Sequence, residues 1–397
     1  MIINMNKELE QASKAIMHTY NRNILFDRGE DVYLYDSEGK RYLDFAAGIA
    51  VSAFGYSNDT YKNALKHQID KLIHISNLYY NEPSIKAAQK FVKASGMDQV
   101  FFTNSGTEAI EGALKLARKY AYLKNKDSKG EIIAMEHSFH GRSMGALSVT
   151  GNKKYREAFE PLIGGVSFAI YNDLESVKRL ITKDTCAIIL ETVQGEGGIY
   201  PASVEFVEGI RALCDEHDIV MICDEIQCGM GRTGKMFAYQ NYQVLPDVIT
   251  SAKALGCGVP VGAIGAVKKV AEAFVPGDHG TTYGGNPLAT AAVSTVFDIF
   301  EEENIIDNVK ERGAYLEEKL DALVEKYDCL TARRGMGLMQ GLVCTLPVSD
   351  VVKNCMEKGL VVITAGKDVL RFVPPLVITD AHIDEMITIL DDVLSKM

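Results

Sequence analysis

The stretch Phe101-Phe102-Thr103-Asn104-Ser105-Gly106-Thr107-Glu108 joins the end of an apolar strand to the start of a helix through a turn of small residues. The helical pattern continues to Tyr120, and Ser105 and Glu108 have the spacing of a capping box. Taken alone, these features are typical of an ordinary, well-capped helix. The functional alternative is a phosphate site, because a helix N-terminus entered through glycine offers free N–H groups and the positive end of a dipole.

Similar strand-to-helix transitions recur through the middle of the chain. The candidate strands are Val100–Thr103, Glu131–Met135, Cys186–Leu190, Ile219–Cys223, Val248–Ser251 and Ala263–Val267. Longer amphipathic stretches separate them, and this alternation predicts an α/β fold with a mainly parallel sheet flanked by helices. Such sheets bind their ligands at the carboxyl ends of the strands, which directs attention to the residues that follow each strand.

The two ends of the chain have a different pattern of helical and strand-like runs. A charged helical stretch from Phe297 to Tyr327 precedes strand-like runs at Gly337–Cys344, Leu360–Ile363 and Val369–Phe372 and a last helix from Asp380 to Lys396. The N-terminal region carries a helical pattern at Glu8–Tyr20 and β-like runs at Val32–Tyr35 and Tyr42–Phe45. We therefore expect an N-terminal segment, residues 1–50, that packs with a smaller α+β domain, residues 291–397. A large domain, residues 51–290, lies between them.

Composition restricts the class of protein. The 397 residues are 47% hydrophobic and 24% charged, which excludes a disordered chain. The 53 acidic residues outnumber the 42 basic ones, and the resulting charge of −11 argues against nucleic-acid binding. No apolar run approaches the roughly 20 residues of a membrane span. The eight cysteines are scattered without a CxxC pair, and the N-terminus lacks a signal-peptide layout, so we expect no metal site and a cytoplasmic protein.

Two strand ends deliver chemically distinctive residues. Asp224 ends the apolar run Val220–Cys223, and Lys253 follows Val248–Ser251 amid small residues and glycines. A desolvated lysine loses its proton more readily and becomes a nucleophilic amine, whereas a semi-buried carboxylate needs a cationic partner. The structural alternatives are an aspartate that caps a turn and a lysine that extends to solvent.

The segment Gly229-Met230-Gly231-Arg232-Thr233-Gly234-Lys235 matches the first part of a nucleotide-binding P-loop. A P-loop next requires Ser or Thr for Mg²⁺, and Met236 stands there instead. The segment also does not directly follow a strand. We therefore reject a nucleotide-binding ATPase.

Several further segments, together with those above, resemble the class III pyridoxal-phosphate aminotransferases of fold type I. The resemblance runs almost end to end, in the right order and spacing. Its motifs are Ser76-Asn77-Leu78-Tyr79-Tyr80-Asn81-Glu82-Pro83, Asn104–Ala109, Phe139-His140-Gly141-Arg142, Gln194-Gly195-Glu196-Gly197-Gly198, Asp224-Glu225-Ile226-Gln227, Ser251–Leu255, His279–Pro287 and Leu370-Arg371-Phe372-Val373-Pro374. The resemblance implies a seven-stranded sheet, pyridoxal 5'-phosphate as cofactor and a homodimer with shared active sites.

The resemblance also implies roles for individual residues. Lys253 would bond covalently to the cofactor and move the substrate proton, and Asp224 would keep the ring nitrogen protonated. The remaining cofactor contacts would be Ser105, Gly106 and Thr107 at the phosphate, Gln227 at the ring hydroxyl, Phe139 on the ring face, and Thr282 reaching the phosphate from the neighbouring subunit. A non-enzymatic protein on the same fold would be expected to lose Lys253 or Asp224, and both are present.

The expected reaction transfers the terminal amine of N-acetylornithine to 2-oxoglutarate, producing glutamate. Arg142 resembles the arginine that binds the distant carboxylate, a task suited to the guanidinium fork. Arg371 resembles the arginine for the α-carboxylate of glutamate, and Glu196 resembles the gate that neutralises it. Thr281 stands at a substrate contact. Succinylornithine, ornithine, 4-aminobutyrate and acylated lysine precursors remain alternative donors. Gly48-Ile49-Ala50-Val51 favours an acylated amine, since enzymes for free ornithine carry a tyrosine in this region.

Overall fold

The computed structural model describes residue 11 and residues 14–397. Of the predicted helix Glu8–Tyr20, residues 8–10, 12 and 13 lie outside the described residues, and among the others only residues 11, 14 and 15 are helical. Within the described part, no helix is long and apolar enough to cross a membrane.

A seven-stranded sheet forms the centre of the molecule. Its strands, in spatial order, are Gln99–Thr103, Gly262–Ala266, Val248–Ser251, Val220–Asp224, Thr185–Leu190, Glu131–Met135 and Val166–Ala169. Only Gly262–Ala266 runs antiparallel to its neighbours, and the other pairs are parallel. The expected mainly parallel sheet is thus confirmed. The short edge strand Val166–Ala169 was not predicted, because its Ser167 interrupts the apolar run.

Burial explains why the central strands read as continuous apolar runs. Every residue of Val220–Asp224 and Val248–Ser251 is buried, since helices cover both faces of the sheet. The helix Gly106–Lys124 packs its apolar face, including Ile110 and Leu114, against one face of the sheet. This arrangement brings the carboxyl ends of the parallel strands to one edge, where Asp224 is found.

Other helices and strands surround this sheet. The helices are Ala47–Ala50, Asp59–Lys71, Glu82–Ser95, Met144–Ser148, Lys153–Arg156, Leu174–Leu180, Val204–His217, Lys268–Ala271, Pro287–Glu302, Ile305–Lys326, Val348–Glu357 and Asp380–Leu394. Short 3₁₀ turns occupy Glu157–Phe159, Ala238–Asn241 and Lys253–Leu255. One smaller sheet contains the strands Phe26–Glu30, Tyr33–Asp36, Arg41–Asp44 and Leu360–Val361. A second contains Leu330–Met336, Met339–Cys344, Val369–Phe372 and Ile363–Ala365. A third consists of Val193–Gln194 and Tyr200–Pro201.

The C-terminal part differs from the sequence-based prediction in two places. The single helical stretch predicted from Phe297 to Tyr327 is two helices, because Asn304 adopts a left-handed conformation with φ of 51° between them. The strand Leu330–Met336 was missed. It lies at the edge of its sheet, and its two arginines hide the apolar alternation.

The N-terminal strands contact the C-terminal part of the chain. Leu360–Val361 adds to Arg41–Asp44 as a parallel neighbour, while Ile363–Ala365 joins the other small sheet, which splits the predicted run Leu360–Ile363. The Tyr33 hydroxyl also donates a hydrogen bond to the Glu385 carboxylate at 2.8 Å. The division into three parts at residues 50 and 290 stays a prediction.

Candidate active site

A cavity of about 460 Å³ opens at the carboxyl edge of the central sheet. The predicted residues that line it are Ser105, Gly106, Thr107, Phe139, Arg142, Asp224, Gln227 and Lys253. The fold therefore gathers these residues from four separated segments of the sequence into one concave surface.

A helix N-terminus forms one wall of the cavity. The helix Gly106–Lys124 begins there, and Ser105 is its N-cap, with Oγ accepting the N–H of Glu108 at 3.3 Å. The N–H groups of Gly106 and Thr107 precede the first helical hydrogen bonds and have no partner within the helix. These two N–H groups, with the dipole of a 19-residue helix behind them, can bind an anion such as a phosphate group.

Asp224 lies buried at the opposite side, at the end of its strand. Its Oδ2 is 2.7 Å from His140 Nδ1, and its Oδ1 accepts hydrogen bonds from Thr250 Oγ1 at 3.1 Å and from the N–H of Ile226 at 3.0 Å. Burial opposes protonation of His140, but the hydrogen bond and charge of Asp224 prevail and raise the pKa of His140. The pair can hold a proton on a basic ring nitrogen placed in the cavity.

Lys253 is partly buried and enters the cavity from a turn after Val248–Ser251. No acidic side chain of the described chain lies within ion-pair distance of its ammonium group. Burial lowers the pKa of Lys253, and the more distant charge of Glu196 partly opposes this effect. Its backbone has φ of 49°, a left-handed conformation that costs a non-glycine residue roughly 1–3 kcal/mol. Strain and a lowered pKa together mark Lys253 as a candidate amine nucleophile and proton carrier.

The turn Phe139–Arg142 forms a third wall. The Arg142 guanidinium lies 4.0 Å from the Tyr155 ring centroid and 5.4 Å from that of Phe139. Arg142 is exposed, and no carboxylate of the described residues pairs with it, so its hydrogen-bond donors are available to an anionic ligand. Glycine at position 141 allows this turn to lie close to Thr107, since a Cβ there would come within 2.4 Å of Thr107 Oγ1.

A second arginine lies behind the cavity in a hydrogen-bonded group. Arg371 is 3% exposed, and its Nη1 donates to Glu196 Oε1 at 2.5 Å and to Gln227 Oε1 at 3.0 Å. Glu196 retains 24% exposure of its side chain. The structure thus brings Arg371 and Glu196 together and adds Gln227 as a link between Arg371 and the cavity lining.

The two threonines lie apart from this group. Thr281 Oγ1 accepts hydrogen bonds from Asn104 Nδ2 and from the N–H of Gly284, each at 3.1 Å, whereas Thr282 is exposed and does not line the cavity of its own chain.

The Glu108 carboxylate accepts the N–H of Asn104 at 2.8 Å instead of that of Ser105. Only half of the predicted capping box therefore forms.

Two residues of the site were missed by sequence reasoning. The sequence analysis gave His140 no role in the site, yet its ring is the partner of Asp224, and among the described residues no metal-binding cluster is found. Glu191 lines the cavity with 4% exposure, and burial raises its pKa to about 7. Its position directly after the apolar run ending at Leu190 was the available signal.

The rejected P-loop segment has a structural role, because the buried Arg232 donates to the carbonyl oxygens of Leu338 and Pro374.

Comparisons with known proteins agree with this geometry. Residues 16–394 match the family described as aminotransferase class-III. The chain is 48% identical over 379 residues to the acetylornithine aminotransferase of Clostridium acetobutylicum, covering 95% of this chain and 98% of that protein. It is 46% identical over 368 residues to the succinylornithine transaminase of Yersinia enterocolitica, covering 90% of this chain and 89% of that protein. A solved ornithine aminotransferase from Toxoplasma gondii, described with partial occupancy of PLP at its active site, superposes with a TM-score of 0.94 at 28% identity, covering 99% and 96%.

Proposed function

Since this chain belongs to the class III aminotransferase family, we propose that it transfers the terminal amino group of N-acetylornithine to 2-oxoglutarate, a step of arginine biosynthesis. The products are N-acetylglutamate 5-semialdehyde and glutamate. Enzymes of this family depend on pyridoxal phosphate, so the protein is a pyridoxal-phosphate-dependent aminotransferase. The choice of N-acetylornithine is supported by relatives that carry this name at 46–48% identity over nearly the whole chain.

The cavity lining fits the cofactor group by group. A phosphate suits the free N–H groups of Gly106 and Thr107, and the ring nitrogen suits the carboxylate of Asp224. The Gln227 amide can donate to the ring hydroxyl oxygen, because its Oε1 already accepts from Arg371. Phe139 offers an aromatic face for the ring. We assign these residues, with Ser105 as the helix cap, to cofactor binding.

When bound, the cofactor withdraws electrons from the substrate carbon that loses a proton. Lys253 Nζ takes that proton and returns it, a role that its lowered pKa supports because a neutral amine is a base. Asp224 holds the proton on the ring nitrogen, and His140 in turn fixes the orientation of Asp224 through its hydrogen bond of 2.7 Å. The buried position of this pair excludes water from the charged contact.

The single observation that carries the substrate proposal is the ion pair between Arg371 and Glu196. Glutamate brings two carboxylates to the site, whereas N-acetylornithine brings one carboxylate, far from its reacting amine. Arg142 binds the carboxylate distant from the reacting amine in both substrates, and Arg371 binds the α-carboxylate of glutamate. During the N-acetylornithine half-reaction, Glu196 neutralises Arg371, so an uncharged methylene chain can lie beside it.

We further propose a homodimer in the cytoplasm, in which Thr282 reaches the phosphate of the neighbouring subunit and Thr281 contacts substrate. In the single chain Thr282 is exposed, and large apolar residues near it are exposed as well: Leu78 at 85%, Tyr79 at 64%, Tyr80 at 92% and Tyr283 at 63%. Asn77 Nδ2, next to these residues, donates to the carbonyl oxygen of Thr281 at 3.1 Å. A group of exposed large apolar residues of this kind is a candidate interface between subunits.

A panel of half-reactions tests the substrate proposal. The holoenzyme is mixed with N-acetylornithine, N-succinylornithine, ornithine or 4-aminobutyrate, and the loss of the visible cofactor absorbance near ~420 nm is followed. We expect the highest kcat/KM for N-acetylornithine, with Lys253→Ala as the inactive control. Succinylornithine is the second candidate, supported by the Yersinia relative. A donor other than N-acetylornithine that reacts tenfold faster would overturn the proposal.

A further inference from the structure

A buried carboxylate connects two walls of the cavity. Glu191 follows the central strand Thr185–Leu190 and is 4% exposed. Its Oε2 accepts the N–H of Phe139 and its Oε1 accepts the N–H of Gly195, both at 3.1 Å. One side chain thus holds two segments that are 56 residues apart in the sequence.

The two segments serve different parts of the site. Phe139 belongs to the turn that forms the aromatic wall, and Gly195 immediately precedes Glu196, the partner of Arg371. Gly195 also lies directly against Gln227, because a Cβ at this position would come within 2.5 Å of the Gln227 amide. A shift of the Gly195 backbone would therefore displace Glu196 and Gln227, the two hydrogen-bond acceptors of Arg371.

The chemistry of the contact requires a carboxylate. No cationic side chain of the described residues pairs directly with Glu191, and burial raises its pKa to about 7, with the charge of His140 opposing that increase. A group that is costly to bury is kept here because each of its oxygens satisfies a buried N–H group. Glutamine has the same shape but places an NH₂ group against one of those N–H donors, so one contact must break.

We propose that Glu191 is a positioning residue that fixes the Gly195–Glu196 loop to the Phe139 wall, and thereby sets both cofactor affinity and the alignment of Glu196 with Arg371. The part that concerns Glu196 rests on the proposed function, whereas the part that concerns the cofactor does not. Tyr171 supports the arrangement, since its hydroxyl donates to the carbonyl oxygen of Glu191 at 2.8 Å.

The chain offers a matched control for the test. Glu225 is also fully buried, has a pKa raised by burial to about 7, and accepts two backbone N–H groups, those of Ala238 at 2.5 Å and Tyr239 at 2.8 Å. Neither N–H group belongs to a residue of the cavity lining. Glu191→Gln and Glu225→Gln therefore make the same chemical change, one inside the site and one outside it.

We expect both variants to lower Tm by similar amounts. Only Glu191→Gln should raise the dissociation constant of pyridoxal phosphate, about tenfold, measured by dialysis of the holoenzyme. It should also slow the N-acetylornithine half-reaction about tenfold more than the glutamate half-reaction, whereas Glu225→Gln keeps the wild-type ratio. Weaker cofactor binding combined with no preference for N-acetylornithine in the wild type would refute the proposed function and leave the positioning role intact.

The positioning role is overturned if Glu191→Gln and Glu225→Gln have the same cofactor affinity and the same donor ratio. Hydrogen exchange of the wild-type enzyme provides a test that does not depend on the folding of a variant. The amides of Phe139 and Gly195 should exchange slowly, as expected for N–H groups bound to a buried carboxylate. Rapid exchange at both amides would equally overturn the proposal.

Discussion

Removal of the Glu196 carboxylate should separate the two half-reactions of the enzyme. In the structure, Arg371 Nη1 donates to Glu196 at 2.5 Å and to Gln227 at 3.0 Å. Glu196→Ala removes the one carboxylate of the described residues that pairs with Arg371 and leaves the neutral Gln227, so the charge of the guanidinium is uncompensated. Glutamate supplies a carboxylate to Arg371 and should react at the wild-type rate or faster. N-acetylornithine supplies none there and should react more slowly.

The size of the effect follows from the burial of the pair. Breaking a fully buried ion pair costs about 3–5 kcal/mol. Arg371 is 3% exposed, but the side chain of Glu196 retains 24% exposure, so water can enter its place and reduce the loss. A value near 2 kcal/mol corresponds to a roughly thirtyfold slower reaction with N-acetylornithine.

Single-turnover kinetics of each donor with Glu196→Ala, Glu196→Gln and Arg371→Ala measure this effect. Glu196→Gln keeps a hydrogen-bond acceptor without the charge and should lie between the wild type and Glu196→Ala. Arg371→Ala should show the reverse pattern, with glutamate impaired most. Equal slowing of both donors by Glu196→Ala would refute the reasoning and leave Glu196 as a general contact near the cofactor.

Three further outcomes follow from the same geometry. Lys253→Ala should abolish turnover with an unchanged circular dichroism spectrum, and near-normal transamination by this variant would remove Lys253 from the mechanism. Asp224→Ala should lower kcat by on the order of 10²-fold or more and alter the cofactor absorbance spectrum, whereas an active variant with the wild-type spectrum would make Asp224 purely structural. The pKa of Glu225 is raised by burial from a usual value of about 4.3 to about 7, so the folded state binds this proton more tightly and the group's contribution to stability falls as pH rises between these values. Relative to Glu225→Gln, the wild type should lose about 2 kcal/mol of unfolding free energy from about pH 5 to about pH 8, and parallel pH profiles in urea denaturation would contradict this.

The central sheet could be predicted from the sequence because its strands are buried on both faces. Glu131–Met135 and Val248–Ser251 have the predicted bounds, since continuous apolar runs end where the strands end. The helix boundary at Asn304 could not be predicted, because helical periodicity continues across it and only the left-handed backbone reveals the break. Local pattern therefore identified the elements but not every interruption within them.

The residues of the candidate site also form two groups, those that a local sequence pattern reveals and those that it does not. Residues at strand ends and helix starts, such as Asp224, Lys253 and Ser105, are visible as breaks in a local pattern. The contacts of His140 with Asp224 and of Glu191 with Gly195 are different, because they exist only after distant strands are aligned. The link between Gln227 and Arg371 spans 144 residues and has no local signature.

The left-handed backbone of Lys253 has a consequence for protein engineering. A lysine with φ of 49° bears a backbone cost of roughly 1–3 kcal/mol that glycine at this position would not bear. A selection that rewarded only thermal tolerance would therefore favour loss of the reactive amine. Directed evolution of this scaffold towards heat resistance consequently needs a simultaneous selection for catalysis, or position 253 must be held constant in the library.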